Sequence, residues 1–438
     1  MRHVVQVLAI VLVSTFTGCH KPPDPIEERD TRIYLELINT WTTNVTFKIS
    51  VADTTTNWGF ELSRNDSIIL YAEVWGHDTT IIDDGLDPSR DYEYTAYFIE
   101  NTEKSDSSLA LTVTTMDTTS HDFVWYVDSL GVYPSEIRDV FIIGPNDIWA
   151  VGEIRNIFGS NDSLYGAAHW NGIDWQLFNF NYREYSTIQA NGIWMTDEDD
   201  IWLANGSILH FDGDTTRLVW RRDLNSGEAA WKAWGSSSNN IFFIGFEGLI
   251  VHYNGIEFTR MESNTDIFLN QIAGSDDGEH VFVVGSISGN PHRSILLEFS
   301  DGEWNELYYK EGVLPDQGDM GLINGVAVEG DTAYVTTHSG LWKYNYITSE
   351  SVYIPGLDNF NNIAVTHIRV EAPNDIIYAG ASFSYIHYNG DTSFMNREVQ
   401  NHFTQSKMNC FELKNDIAVI AGFCCSAGHA IIARGYRE

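Results

Sequence analysis

Positive charge is scarce in this chain. Of 438 residues, 25 are Lys or Arg against 61 Asp or Glu, giving a net charge of −36. Such a balance repels phosphate backbones and argues against nucleic acid as a partner. Cysteine is nearly absent. Only Cys19, Cys410, Cys424 and Cys425 occur, with no Cys-x-x-Cys spacing. That is too few, too widely spread, for a thiolate metal site, and it leaves any pairing of the last three open. The apolar run from Val4 to Val13 is too short to span a bilayer as a stable helix. Gly-x-Ser-x-Gly, His-Glu-x-x-His and P-loop phrases are all missing, so the standard nucleophile, zinc and phosphate motifs are absent. What the chain does have is core material: 43% hydrophobic and 13% aromatic residues, enough for two or more packed domains.

The first segment reads as a targeting signal. Arg2 precedes the apolar run, and small residues follow, ending in "FTGC" at Cys19. This resembles the lipobox of bacterial lipoproteins, with Phe16 where leucine is commonest. The resemblance implies cleavage between Gly18 and Cys19 and lipid attachment on Cys19, so that residues 1–18 are a signal peptide. Residues 19–30 read as a tether, and everything beyond is expected outside the cytoplasm, held on the membrane by the acyl chains. His20 stands where an Asp signals inner-membrane retention in well-studied enterobacteria, which favours the outer membrane or cell surface.

Residues 31–118 alternate apolar and polar positions in short runs such as "VTFKISV" and "YEYTAYFI", separated by polar turns. Period-two alternation with regular turns predicts an all-β sandwich. The phrase "LDPSRDY", Leu86 to Tyr92, resembles the tyrosine-corner phrase of fibronectin type III domains, which implies a spacer or protein-binding module. No site chemistry is visible in it.

From residue 122 to 438 one phrase recurs: "NDIWAVG", "NNIFFIG", "NDIIYAG", "NDIAVIAG". Aligned on Asp147, Asp200, Asn240, His280, Asp331, Asp375 and Asp416, the copies step by 53, 40, 40, 51, 44 and 41 residues. Each holds four short alternating segments, the third ending in a hairpin phrase such as "HWNG" or "HYNG" that suits a tight turn. The region resembles BNR/YVTN-like propellers of bacterial surface proteins. The fold class expected is therefore all-β: a fibronectin type III-like sandwich and a seven-bladed β-propeller with four-stranded blades. The last copy lacks an outer strand, and residues 122–129 are left over before the first. They are expected to pair with 430–435 and close the ring. Cys410 should lie opposite Val419 or Ile420.

The recurring His169, His210, His252 and His387 occupy equivalent places on separate blades, too far apart to share an ion, and read as repeat grammar. No metal site or cofactor is expected, calcium in the acidic turns 197–200 and 275–277 being the alternative. A sialidase site is unsupported, because arginines are few and the Ser-x-Asp-x-Gly turn is missing. The first residues of the inner strands form a polar collar at the channel mouth: Arg138, Asp139, Asn191, Trp231, Lys232, Asn270, Gln271, Asn324, His367 and Asn409. Polar groups around an indole suit recognition of a protein or glycan, and the longer stretches 152–166 and 308–324 are expected as loops on the same face. No catalytic residue is singled out. A monomeric, non-catalytic binding protein is expected. The alternative is a carbohydrate-active enzyme, a glycosidase or lyase, with converging carboxylates in the mouth.

Overall fold

The computed structural model describes residues 32–438 apart from 53–56, 159–160, 184–186, 313–319, 338–339, 355–364, 381–382, 400–405 and 425–427. The signal, the tether, Cys19 and Cys425 lie outside the described residues. Among the described residues no helix is long and apolar enough to cross a membrane. The chain forms two compact units, the larger containing residues 114–438.

The smaller unit is built on two antiparallel sheets. One has the order Ile33–Thr40, Asn44–Val51, Asp78–Asp84. The other runs Ser67–Val74, Trp58–Arg64, Asp91–Glu100, Glu103–Ser107, with Leu111–Thr114 also on Asp91–Glu100. Alternation does what period two requires: Phe47, Ile49 and Val51 are buried while Lys48 reaches solvent and pairs with Asp78. Phe47 meets Tyr94 at 4.5 Å between ring centroids, and Trp58 stacks on Phe98 at 6.4 Å. Leu86 and Tyr92 of the corner phrase are both buried.

The larger unit contains seven four-stranded antiparallel sheets among the described residues. Sheets 1 to 6 are consecutive in the chain, and their first strands are Val132–Gly144, Gly192–Asp197, Ala229–Ser237, Leu269–Gly274, Ile323–Glu329 and Val365–Ala372. Sheet 7 takes Ser406–Lys414, Ile417–Cys424 and Ala430–Arg437 from the end of the chain. Its fourth strand, Phe123–Leu130, comes from before sheet 1. That strand pairs in register from Ala430 opposite Leu130 to Arg437 opposite Phe123, as the leftover segment predicted. Each first strand packs beside the next, and the seventh beside the first. Neighbouring sheets enclose a hydrophobic cluster each, such as Trp149, Ile193 and Leu203 between sheets 1 and 2, or Phe383, Ile420 and Ala433 between sheets 6 and 7.

The recurrent phrase has a local cause. Trp149 lies opposite His169 in the register, and the rings stack at 4.4 Å, 13° apart. The same imidazole reaches back to Asp147, which opens the strand, at 2.9 Å. Sheet 2 repeats this with Trp202, His210 and Asp200, and sheet 3 with Phe242, His252 and Asn240. In sheet 6 His387 keeps the bond to Asp375 at 3.1 Å, although its opposite residue is Ile377. Sheet 4 inverts the arrangement, with His280, just before the second strand, bonded to Glu298 on the third.

Three details depart from the sequence reading. Cys410 faces Ala421, one or two residues beyond the expected partner, because the turn is Asn415–Asp416 with Lys414 opposite Ile417, and the pairing runs back to Cys410 without a break. The stretch 152–166 is not a free loop: strands Asp147–Phe158 and Asn161–Trp170 stay paired along it, since its alternation continues. The second strands of sheets 4, 5 and 7 begin at Val281, Thr332 and Ile417, one residue after the expected His280, Asp331 and Asp416.

Candidate functional site

The first strands share a defect. In sheet 1 the register steps from Ile137–Gly152 to Asp139–Val151, leaving Arg138 as a bulge. Trp231, Asn270, Asn324, Thr366 and Asn409 are skipped in the same way in sheets 3 to 7. In sheet 2 Asn191 stands just before the pair Gly192–Ala204 and donates its N–H to Ala204 O at 2.8 Å. A bulge bends its strand and re-aims a side chain. In sheets 1, 3, 4 and 7 a glycine stands opposite the residue before the bulge. A Cβ on Gly152, Gly245 or Gly422 would collide with the carbonyl oxygen of Glu136, Ala229 or Lys407, and one on Gly285 would lie 2.7 Å from Phe268 O. These glycines close the recurrent phrase.

The bulges split the expected collar in two. Arg138, Asn191, Trp231, Asn270, Asn324 and Asn409 are the displaced residues of that collar, at the end of the channel where first strands begin. Asp139, Lys232, Gln271 and His367 come one position later and line a cavity of about 310 Å³, together with residues from all seven first strands. Arg138, Asn191 and Trp231 instead line a second cavity, of about 530 Å³, between sheets 1, 2 and 3. Asn409 is used structurally, donating to Ile137 O at 2.8 Å, and Asn324 lines neither cavity.

Two ion pairs stand in the channel. Lys232 Nζ lies 2.6 Å from Asp139 Oδ1, joining sheets 3 and 1. Asp139 Oδ2 accepts the Ile193 N–H at 3.1 Å, adding sheet 2. Arg369 donates through Nε and Nη2 to both oxygens of Glu412, each at 3.0 Å, joining sheets 6 and 7. Burial, then Arg369 and Lys232, hold the His367 imidazole well below its ordinary range, so it is neutral. Burial raises the Cys410 thiol far above the usual range, so it is inert as a nucleophile. The Arg369–Glu412 pair was missed as part of the site. Each of its members stands two residues after a lining residue, His367 and Cys410, so period two places both on the channel face.

Among the described residues, two groups of side chains converge closely enough to hold a cation: Asp147, His169 and Glu198, and Glu371, Asp375 and Asp416. In the first, Glu198 of the acidic turn 197–200 approaches the His169–Asp147 bond at 3.7 Å. In the second the acceptors are already engaged, Glu371 by the N–H groups of Asn415 and Asp416, and Asp375 by His387 and Arg437.

No protein-family model and no curated protein matches the chain. Solved structures do. One titled as YCF48 bound to D1 peptide is 13% identical, covers 74% of this chain and 98% of its own, with a TM-score of 0.52. YCF48 from Cyanidioschyzon merolae is 11% identical over 71% of this chain and 98% of its own, with a TM-score of 0.46. The WD40 β-propeller domain of Doa1 is 7% identical over 72% and 97%, with a TM-score of 0.44. The first of these likenesses shows a β-propeller fold, which the ring of four-stranded sheets embodies.

Proposed function

We propose that this chain is a lipid-anchored cell-envelope protein that binds a peptide segment of a protein partner and catalyses nothing. Residues 1–18 are the signal peptide, Cys19 the lipid anchor and 19–30 the tether. Residues 31–118 form a fibronectin type III-like spacer, and residues 122–438 a seven-bladed propeller on the outer membrane or cell surface. The observation that carries this reading is the set of bulges. Seven displaced residues, most of them polar and one an indole, sit at one end of a rigid ring. The YCF48 structure bound to D1 peptide offers a fold-level parallel for peptide binding. Acid–base hydrolysis fits less well. Asp139 and Glu412 are the acids lining the central cavity, and each is ion-paired. Hydrolysis needs one carboxylate free to give a proton and another to act on the far side.

The test is panning a random peptide library on the full chain in detergent, followed by titration of the recovered peptides. Binding should weaken at least tenfold in Trp231→Ala and stay unchanged in Ile173→Ala, which alters an exposed hairpin turn between the third and fourth strands of sheet 1. Glycan binding with no peptide binding would refute this reading.

A further inference from the structure

The cavity between sheets 1, 2 and 3 has a chemistry unlike the rest of the surface. In a chain with 61 acidic residues, no Asp or Glu among the described residues lines it. Two arginines do, and they differ. Arg138 is already held by Glu136 at 2.7 Å and sits near Glu153. Arg222 has no carboxylate partner among the described residues. Its backbone N–H donates to Ser207 Oγ at 3.2 Å, and its guanidinium lies over Gly206, where an added Cβ would stand 3.1 Å from Nη1. The glycine therefore lets the arginine lie flat along the cavity wall.

Sheet 3 lines the cavity with aromatic rings, Trp231 and Phe246. Trp231 is half-buried and wedged edge-on against Phe246 and Phe268, each at 5.5 Å, while Phe246 and Phe268 stack at 4.2 Å. The indole is thus fixed before any ligand arrives. Amides line the cavity as well. Asn191 Oδ1 accepts from Arg138 at 3.4 Å, which leaves its N–H groups for a ligand. Asn205 donates to Gln189 O, which leaves its oxygen as an acceptor. One amide donor and one amide acceptor match the two faces of a peptide group.

We infer that this cavity takes a carboxylate-bearing peptide segment, with the carboxylate on Arg222, the adjoining peptide group on Asn191 and Asn205, and an apolar side chain against Trp231. The inference rests on the peptide-binding reading above and names the site and the ligand chemistry. The carboxylate comes from a chain terminus or from an Asp or Glu side chain.

Three pools of fluorescent octapeptides decide the matter when titrated against the full chain in detergent. The first has free C-termini and no Asp or Glu, the second amidated C-termini with Asp and Glu, the third amidated C-termini and no acids. Retention of the first pool or the second, but not the third, is expected and identifies the source of the carboxylate. Arg222→Gln should weaken the retained pool by about tenfold to a hundredfold, with Arg222→Lys intermediate. Arg222 is exposed, so an unchanged melting curve checks the fold of both variants. If the third pool binds equally well and Trp231→Ala removes it, the carboxylate inference is wrong and the peptide reading stands. If no pool binds, both fall.

Discussion

A Cβ on Gly245 would collide with the carbonyl oxygen of Ala229, so the phrase "NNIFFIG" ends in glycine because the strand beside it bulges. That bulge carries Trp231. Gly245→Ala should push the bulge open, cost about 1–3 kcal/mol as overpacking does, and weaken peptide binding through the misplaced indole. Urea unfolding and peptide titration measure the two effects. A variant with wild-type stability and affinity would show that the glycine does not shape the site.

Ring closure depends on one strand. Deleting residues 120–130 removes the partner of Ala430–Arg437 and exposes Arg434, whose guanidinium lies 3.5 Å over the Trp170 ring and bonds to Asp128 at 2.8 Å. The whole ring should then lose its cooperative transition in circular dichroism, because open sheet edges aggregate. A soluble, cooperatively folding deletion would sink the closure argument.

In the channel, Lys232→Met would leave Asp139 enclosed without its cation at 2.6 Å. The expected loss is about 2–4 kcal/mol, since removing one partner of an enclosed pair strands the other. Replacing both, with Asp139→Leu and Lys232→Met, should recover most of it. If the double variant is as unstable as the sum of the singles, the pair is not coupled.

Acid should destabilise the protein before its carboxylates titrate. Burial and the His387 ring, 2.8 Å away, hold His121 below its ordinary value of 6.5, against the opposing pull of Asp122. Burial lowers His252 as well, and His367 further. A group whose folded pKa is depressed binds more protons unfolded, so its stabilisation is whole above pH 6.5 and is lost as pH falls toward the folded value. The urea midpoint should therefore be level near pH 7 and decline between about pH 6.5 and 5, with a shallower decline in His121→Gln. A midpoint that stays constant down to pH 5 would contradict this.

The anchor proposal turns on Cys19. Cys19→Ser should move the protein from the membrane to the soluble extracytoplasmic fraction and remove the acyl mass from its N-terminus. A membrane-bound serine variant would refute lipidation at that residue.

The architecture was legible because strands announce themselves by period two and sheets by repetition. The seven phrase positions fall at or one residue before the second strands. The closing strand was legible as a remainder, once the other segments had been counted. The collar was only half legible. Arg138 and Asp139 are neighbours in sequence, and alternation alone cannot say that one turns to the mouth and the other to the channel. The bulge between them sets that, and its trace in the sequence is Gly152 on the other strand. Arg222 escaped notice because it follows a fourth strand, where nothing repeats. Arg369 and Glu412 lie 43 residues apart, and only the register puts them on one face.

The closing strand also sets a clock. Phe123–Leu130 is made early, and its partner Ala430–Arg437 roughly 300 residues later. At a synthesis rate of about 5–20 residues per second, that edge waits some 15–60 s with its backbone unpaired. Every sheet between can form in order as it emerges, but the last act belongs to both ends of the repeat region at once. A chain released before its final eight residues would carry six finished sheets and one that nothing can complete.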